Sequence, residues 1–147
     1  PLPESDETPF YAQAMHATYG GEWDYSLDLK QERGEHPRVG WLRAVVHGHR
    51  RVARGLDIDC PVLVTTSAKD AWLRPSLASA READIVLDVD RIAAASWRLG
   101  NLVTLARIEG GTHDLTLSAP AARERWFAAV TQWLRGYVPE GETSLTA

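Results

Sequence analysis

An α/β fold with parallel strands is predicted by three features of the sequence. Two short runs, Cys60 to Ser67 (CPVLVTTS) and Leu102 to Ile108, are almost continuously apolar and β-branched. That is the pattern of strands covered on both faces. Between them lies a segment with helical spacing and a glycine stop, so strand, helix and strand follow in the order of a right-handed parallel crossover. The second run ends in Gly110-Gly111, and His113 stands just beyond, at the strand's carboxyl end. In α/β proteins that edge collects ligands and catalytic groups.

The elements follow in order. Residues 1–39 read as an irregular lead-in, interrupted by Pro1, Pro3, Pro9 and Pro37, with Gly20-Gly21 between polar runs. Tyr11 to Tyr19 suits a short helix. Trp23 and Tyr25 suggest an aromatic cluster or a contact beyond the chain. His16 and His36 read as exposed loop histidines. From Gly40 to about Arg54, Trp41, Leu42, Val45, Val46, His49 and Val52 recur at helical spacing, and Gly55 suits the helix end. His47 and His49 point to different faces of that helix and cannot easily share a metal ion. Cys60 reads as a small core residue at the start of the first strand.

Asp70 to Ala83 lacks periodicity and reads as a long loop, with a turn of helix after Pro75. Asp84 to Asp88 leads into a helix from about Val89 to Leu99, with Asp88 or Asp90 as cap and Gly100 as stop. After the His113 loop, Ser118 can cap a last helix that has Pro120 in its first turn. Trp126, Val130, Trp133, Leu134 and Tyr137 form its apolar stripe. Residues 40–138 therefore make one α/β segment and 139–147 a tail. Two strands of this type need more strands beside them, so a further part of the sheet is expected.

Composition bounds the function classes. The 147 residues are 44% hydrophobic, enough for one core and not for two large ones. A net charge of −4 gives no electrostatic reason to expect a nucleic-acid partner. No stretch is apolar enough for a membrane span. A single cysteine and the lack of a basic-then-apolar leader set a cytoplasmic expectation. No HExxH, HxxEH or cysteine pair offers a metal site, and no cofactor is expected.

His113 then reads as a general base, which needs an acid on its second ring nitrogen. Asp84 lies in the connection beyond the first strand, on the same sheet edge as the His113 loop. Asp70 competes, because it follows that strand more closely. Asp114 neighbours His113 but points away from it in an extended segment.

The run from Gly40 to Tyr137 resembles the C-terminal half of an α/β-hydrolase, of the serine aminopeptidase/monoacylglycerol-lipase-like group. The resemblance rests on GWLRAVVHGHRRVARGLDIDCPVLVTTSAKD, ADIVLDVDRIAAASWRLG, LARIEGGTHDLTLS and the helix ERWFAAVTQWL. It implies His113 as the catalytic base, Asp84 as its acid, and a carboxylesterase- or lysophospholipase-like activity on a small ester or lipid-like substrate. The step from Asp84 to His113 suits that pattern better than the longer step from Asp70. The group's nucleophile sits in a Gly-x-Ser-x-Gly elbow upstream of both. No serine here has that frame: Ser5, Ser26, Ser67, Ser76, Ser79, Ser96, Ser118 and Ser144 all lack it. The expectation is a C-terminal hydrolase portion, inactive alone, that meets the missing N-terminal half of the fold. Residues 1–39 would be lid or cap material. The rival is a non-catalytic α/β module or half-domain that pairs with a partner chain.

Overall fold

A computed structural model describes residues 10–30 and 38–137. The fold is mixed α/β, small, and built on a two-stranded parallel sheet. The helices are α1 (Phe10–Met15), α2 (Val39–Arg54), α3 (Leu77–Ala80), α4 (Val89–Ser96) and α5 (Pro120–Tyr137). The strands are β1 (Val62–Ser67) and β2 (Val103–Ile108), in register from Val62 opposite Val103 to Ser67 opposite Ile108. Single 3-10 turns occupy Ala17–Tyr19 and Leu115–Leu117. The expected tail and His36 lie outside the described residues, as does most of the proline-rich start.

Local chemistry explains the boundaries. Gly55 ends α2 at φ 94°, a conformation that costs other residues but not glycine. Ser76 caps α3 through a reciprocal capping box with Ser79, so the helical turn expected after Pro75 is present. Asp88 caps α4 by accepting from the Arg91 amide. Asp90 is turned instead to the Arg107 guanidinium, at 2.6 Å. The helix stops at Ser96, three residues short of the sequence expectation, because Arg98 and Leu99 close tight turns onto Ala95 and Ser96.

α5 lies against one face of the sheet. Trp126 donates its indole N–H to Thr65 Oγ1 and Trp133 donates to Thr104 Oγ1, each at 3.1 Å. A large apolar body with one donor at its tip suits a face that carries threonines. α4 packs on the opposite face, where its Ile92 and Ala95 border a cleft with Val64, whose side chain alternates with that of Thr65. The residues of β1 nonetheless stay half-exposed from Val62 to Thr65, and only Thr66 and Ser67 are buried. The hydrophobic core lies elsewhere: Ala14, Met15 and Ala80 form it, with Tyr11, Tyr25, Leu77, Ile85 and Leu117 packed around them. That cluster joins α1, α3, Ile85 next to Asp84 and the turn after His113.

Two sequence expectations are corrected, and one expected helix forms with its stripe uncovered. Cys60 is exposed, because the strand starts two residues later and Cys60 belongs to the bend before Pro61. His16 is only 4% exposed: its Nε2 pairs with the Tyr25 carbonyl and its Nδ1 accepts from the Thr18 amide. The apolar stripe of α2 forms as a helix face, yet none of its residues is buried.

Candidate functional site

The site is assembled from the two connections that leave the carboxyl ends of β1 and β2. Beyond β1 the chain returns through α3, and Asp84 forms a short parallel bridge with Asp70. The Asp84 amide donates to the Lys69 carbonyl at 3.0 Å, and the Ala71 amide donates to the Asp84 carbonyl at 2.8 Å. These bonds fix the Asp84 backbone close to the strand. Its side chain is 6% exposed, and Oδ1 accepts from the amides of Val86 at 2.8 Å and Leu87 at 2.9 Å.

Beyond β2 the glycine pair turns the chain. Gly110 has φ 72°, a left-handed conformation that a β-carbon disfavours. Gly111 is a close-approach position, since a methyl group there would lie 2.7 Å from Leu115 Cδ2 and 3.0 Å from the Ile108 carbonyl. Thr112, 1% exposed, anchors the loop: its amide donates to Ser118 Oγ at 3.0 Å and its hydroxyl to the Asp114 carbonyl at 2.9 Å. Ser118 was expected to cap α5. Its fully buried hydroxyl closes the histidine loop instead, and the Ala122 and Arg123 amides bond the Ala119 carbonyl.

Between these anchors His113 projects toward Asp84. Nδ1 lies 3.0 Å from Asp84 Oδ2 and 3.1 Å from Oδ1, so the carboxylate holds that nitrogen with both oxygens. Nε2 has no hydrogen-bond partner among the described residues. The imidazole is 32% exposed and lines a cleft of about 620 Å³ with Tyr11, Lys30, Thr65, Val86 and Trp126. The Tyr11 ring meets it edge-on at 6.1 Å. Burial alone would raise the Asp84 carboxyl. The hydrogen bond from His113, the Leu87 and Val86 amides, and the nearby imidazole charge outweigh burial and hold it below the ordinary aspartate value.

Asp70 is placed differently. Its Oδ2 accepts from the Val89 amide at 3.1 Å, so it serves the start of α4 and does not touch His113. Asp114 does point away from His113, as expected. It pairs with Lys30 Nζ at 3.1 Å and accepts from the Thr116 hydroxyl. Lys30 also donates to the Tyr11 hydroxyl at 3.2 Å. Nothing in the sequence marks Tyr11, Lys30 or Trp126 as neighbours of the histidine. Tyr11 and Lys30 come from the lead-in, and no local pattern ties that segment to residues about ninety positions away. It is docked there by Trp23, whose indole donates to the Leu117 carbonyl at 2.9 Å while Arg123 stacks on its ring.

Among the described residues no group of three or more potential ligands is placed to hold a metal, and no helix is long and apolar enough to cross a membrane. Comparison with family models, curated proteins and solved structures finds no match to this chain.

Two outcomes follow from this geometry. Ser118→Ala would leave the Thr112 amide buried without an acceptor, at a cost of about 1–3 kcal/mol. Urea unfolding should show that loss, and the His113 ring resonances should broaden as the loop loosens. The second outcome concerns acid. Asp84 has a folded pKa below its unfolded one. Its contribution to stability is therefore complete above about pH 4 and is lost as pH falls through the lower folded value. Asp114, also held low, titrates in the same direction: burial opposes the shift, and the Thr116 and Lys30 hydrogen bonds outweigh it. Unfolding free energy measured from pH 6 down to pH 2 should fall less steeply in Asp84→Asn than in the parent chain.

Proposed function

We propose that this chain is the acid–base portion of a serine hydrolase that acts on a small ester or lipid-like acyl ester, with the fold of the C-terminal part of an α/β-hydrolase sheet. One observation carries the reading. A nearly buried carboxylate binds one nitrogen of His113 and leaves the other, without a partner among the described residues, on a cleft at the carboxyl edge of a parallel sheet. With Asp84 accepting the Nδ1 proton, Nε2 keeps its lone pair. It takes the proton of a serine hydroxyl as that oxygen attacks the acyl carbon, and returns it to the departing alkoxide. Asp84 fixes the tautomer and offsets the charge of the imidazolium.

The serine comes from a segment that meets this chain. Among the described residues, Ser67 donates to the Lys69 carbonyl, Ser96 to the Ala93 carbonyl, and Ser118 closes the Thr112 loop. None of the described serines bonds His113. The same fact favours the rival reading, a non-catalytic half-domain, and one experiment separates the two. A fluorophosphonate probe should leave the 147-residue chain unlabelled. It should label the enzyme assembled with the serine-bearing segment, which should also turn over a chromogenic short-chain ester. If His113→Ala leaves that turnover intact, the hydrolase reading is wrong.

A further inference from the structure

We propose that the Tyr11 hydroxyl is a catalytic hydrogen-bond donor in the His113 cleft. It donates to the carbonyl oxygen of an uncharged acyl ester as negative charge gathers there, and Lys30 acts through it as a positioning residue. The inference rests on the function proposed above and adds one group, with its support, to that site.

The direction of one hydrogen bond gives the first reason. Lys30 Nζ lies 3.2 Å from the Tyr11 hydroxyl oxygen. An ammonium has protons and no lone pair, so Lys30 donates and the phenol oxygen accepts. The phenol keeps its own O–H, which finds no acceptor among the described residues. Burial raises the Tyr11 phenol above the usual tyrosine value, and the hydrogen bond and charge of Lys30 offset only part of that rise. At neutral pH the hydroxyl therefore holds its proton and can donate. A hydroxyl that accepts from a cation also donates more strongly, because the first bond polarises the second.

The second reason is where that donor stands. Tyr11 and His113 border the same cleft of about 620 Å³, with ring centres 6.1 Å apart in an edge-on contact. His113 Nε2 brings to that cleft a nitrogen without a partner among the described residues, and Tyr11 brings an O–H without one. Attack on an ester uses both, a base for the incoming hydroxyl and a donor for the oxygen that takes up the charge. The Thr65 hydroxyl borders the cleft too, but the group that bonds it is the neutral Trp126 indole.

Lys30 is held in place for this role. Its ammonium pairs with Asp114 at 3.1 Å and lies over the rings of Tyr11, at 5.2 Å, and Tyr25, at 5.6 Å. The Tyr25 ring is braced in turn on His16 at 4.7 Å. Asp114 offsets the lysine charge, so the pair polarises the phenol without drawing an anion into the cleft. Val86, Leu115 and Trp126 add apolar wall. An uncharged ester fits those surroundings. As the serine oxygen bonds the acyl carbon, the π pair of the carbonyl moves to its oxygen, and the Tyr11 O–H bonds that oxygen without giving up its proton. The pair then returns, the bond to the alcohol oxygen breaks, and the alkoxide takes the proton that His113 holds.

Tyr11→Phe tests the donor and keeps the ring against His113. In the enzyme assembled with the serine-bearing segment, it should lower kcat for p-nitrophenyl butyrate by about a hundredfold and move KM by less than about threefold. Lys30→Met should lower kcat by about tenfold alone and by less than about twofold in the Tyr11→Phe background, because it acts through the phenol. On the 147-residue chain, which needs no substitution, the 13C resonance of Tyr11 Cζ should remain that of a neutral phenol at the pH where free tyrosine is half ionised. An unchanged kcat in Tyr11→Phe, or a raised KM at unchanged kcat, overturns the assignment. So does ionisation of Tyr11 below that pH, or an equal loss from Lys30→Met in both backgrounds. A hundredfold loss in Thr65→Val with Tyr11→Phe silent gives the role to Thr65 and overturns it as well. Turnover that needs His113 but not the Tyr11 hydroxyl defeats this inference alone, whereas an assembled protein without turnover defeats the hydrolase reading and this inference with it.

Discussion

If the proposed hydrolase function holds, Asp84→Asn is expected to lower kcat/KM of the assembled enzyme by about ten-thousand-fold while leaving the fold nearly intact. Both halves follow from the contacts of one carboxylate. Oδ1 accepts from the Val86 and Leu87 amides, and asparagine keeps an oxygen there. The side chain that faces His113 Nδ1 then presents an amide donor. That donor requires Nδ1 to be the unprotonated nitrogen, so the proton moves to Nε2 and the lone pair needed to accept from serine is gone. The imidazolium formed in the transition state also loses its counter-charge. Asp70→Asn is the matched control, because Asp70 bonds the Val89 amide and does not touch His113. It should change turnover by less than about threefold. Equal losses in the two variants would mean that the assignment of the acid is wrong, and unchanged turnover in Asp84→Asn would remove the carboxylate from the mechanism. Thermal melts of both proteins guard against a loss of structure being read as a loss of chemistry.

What was legible in the sequence, and what was not, divides by the range of the interaction. β1, β2 and α5 were visible because each is a local pattern: a β-branched apolar run, or tryptophans at helical spacing after a proline. The turn at Gly110-Gly111 was visible for the same reason. The meeting of Asp84 and His113 needed only one non-local rule, that parallel strands put their following loops on one edge. His16 was misread because its partners, the Tyr25 carbonyl and the Thr18 amide, become available only once the lead-in folds back on itself. Ser118 was misread because two uses compete for its hydroxyl, a helix start and the buried Thr112 amide. The buried amide wins, since it has no access to water while helix amides at a surface do. Lys30 and Tyr11 carried no signal at all. Their place beside the histidine follows from packing between segments distant in sequence. That no residue of α2 is buried was equally hidden, because an amphipathic stripe says that a face will be covered and not by what.

Substituting alanine for glycine at two positions should move stability in opposite directions, and the contrast links the sheet to the histidine. Gly48 lies within α2 with nothing within 4 Å of where a methyl group would sit. Alanine there restricts the unfolded chain and favours the helix, a gain of about 0.5–1 kcal/mol. Gly100 lies where the chain passes from α4 into β2 and is bridged to Ile58, just before β1. A methyl group at Gly100 would run into the Ile58 backbone carbonyl. Backbone cannot swing aside as a side chain can, so the two segments must part. The expected loss is about 3 kcal/mol. The displacement would not stay local. The Ile58–Gly100 bridge starts the pairing that continues from Val62 opposite Val103 to Ser67 opposite Ile108, and β2 leads without interruption into the loop that carries His113. A shift of β2 along β1 would therefore move the imidazole relative to Asp84, which is held from the β1 side. Urea midpoints should separate the two variants by several tenths of a molar or more. The Nδ1 proton resonance of His113 should survive in Gly48→Ala and vanish in Gly100→Ala. If Gly100→Ala keeps both its stability and that resonance, the entry to the sheet is not what holds the Asp84–His113 pair in place.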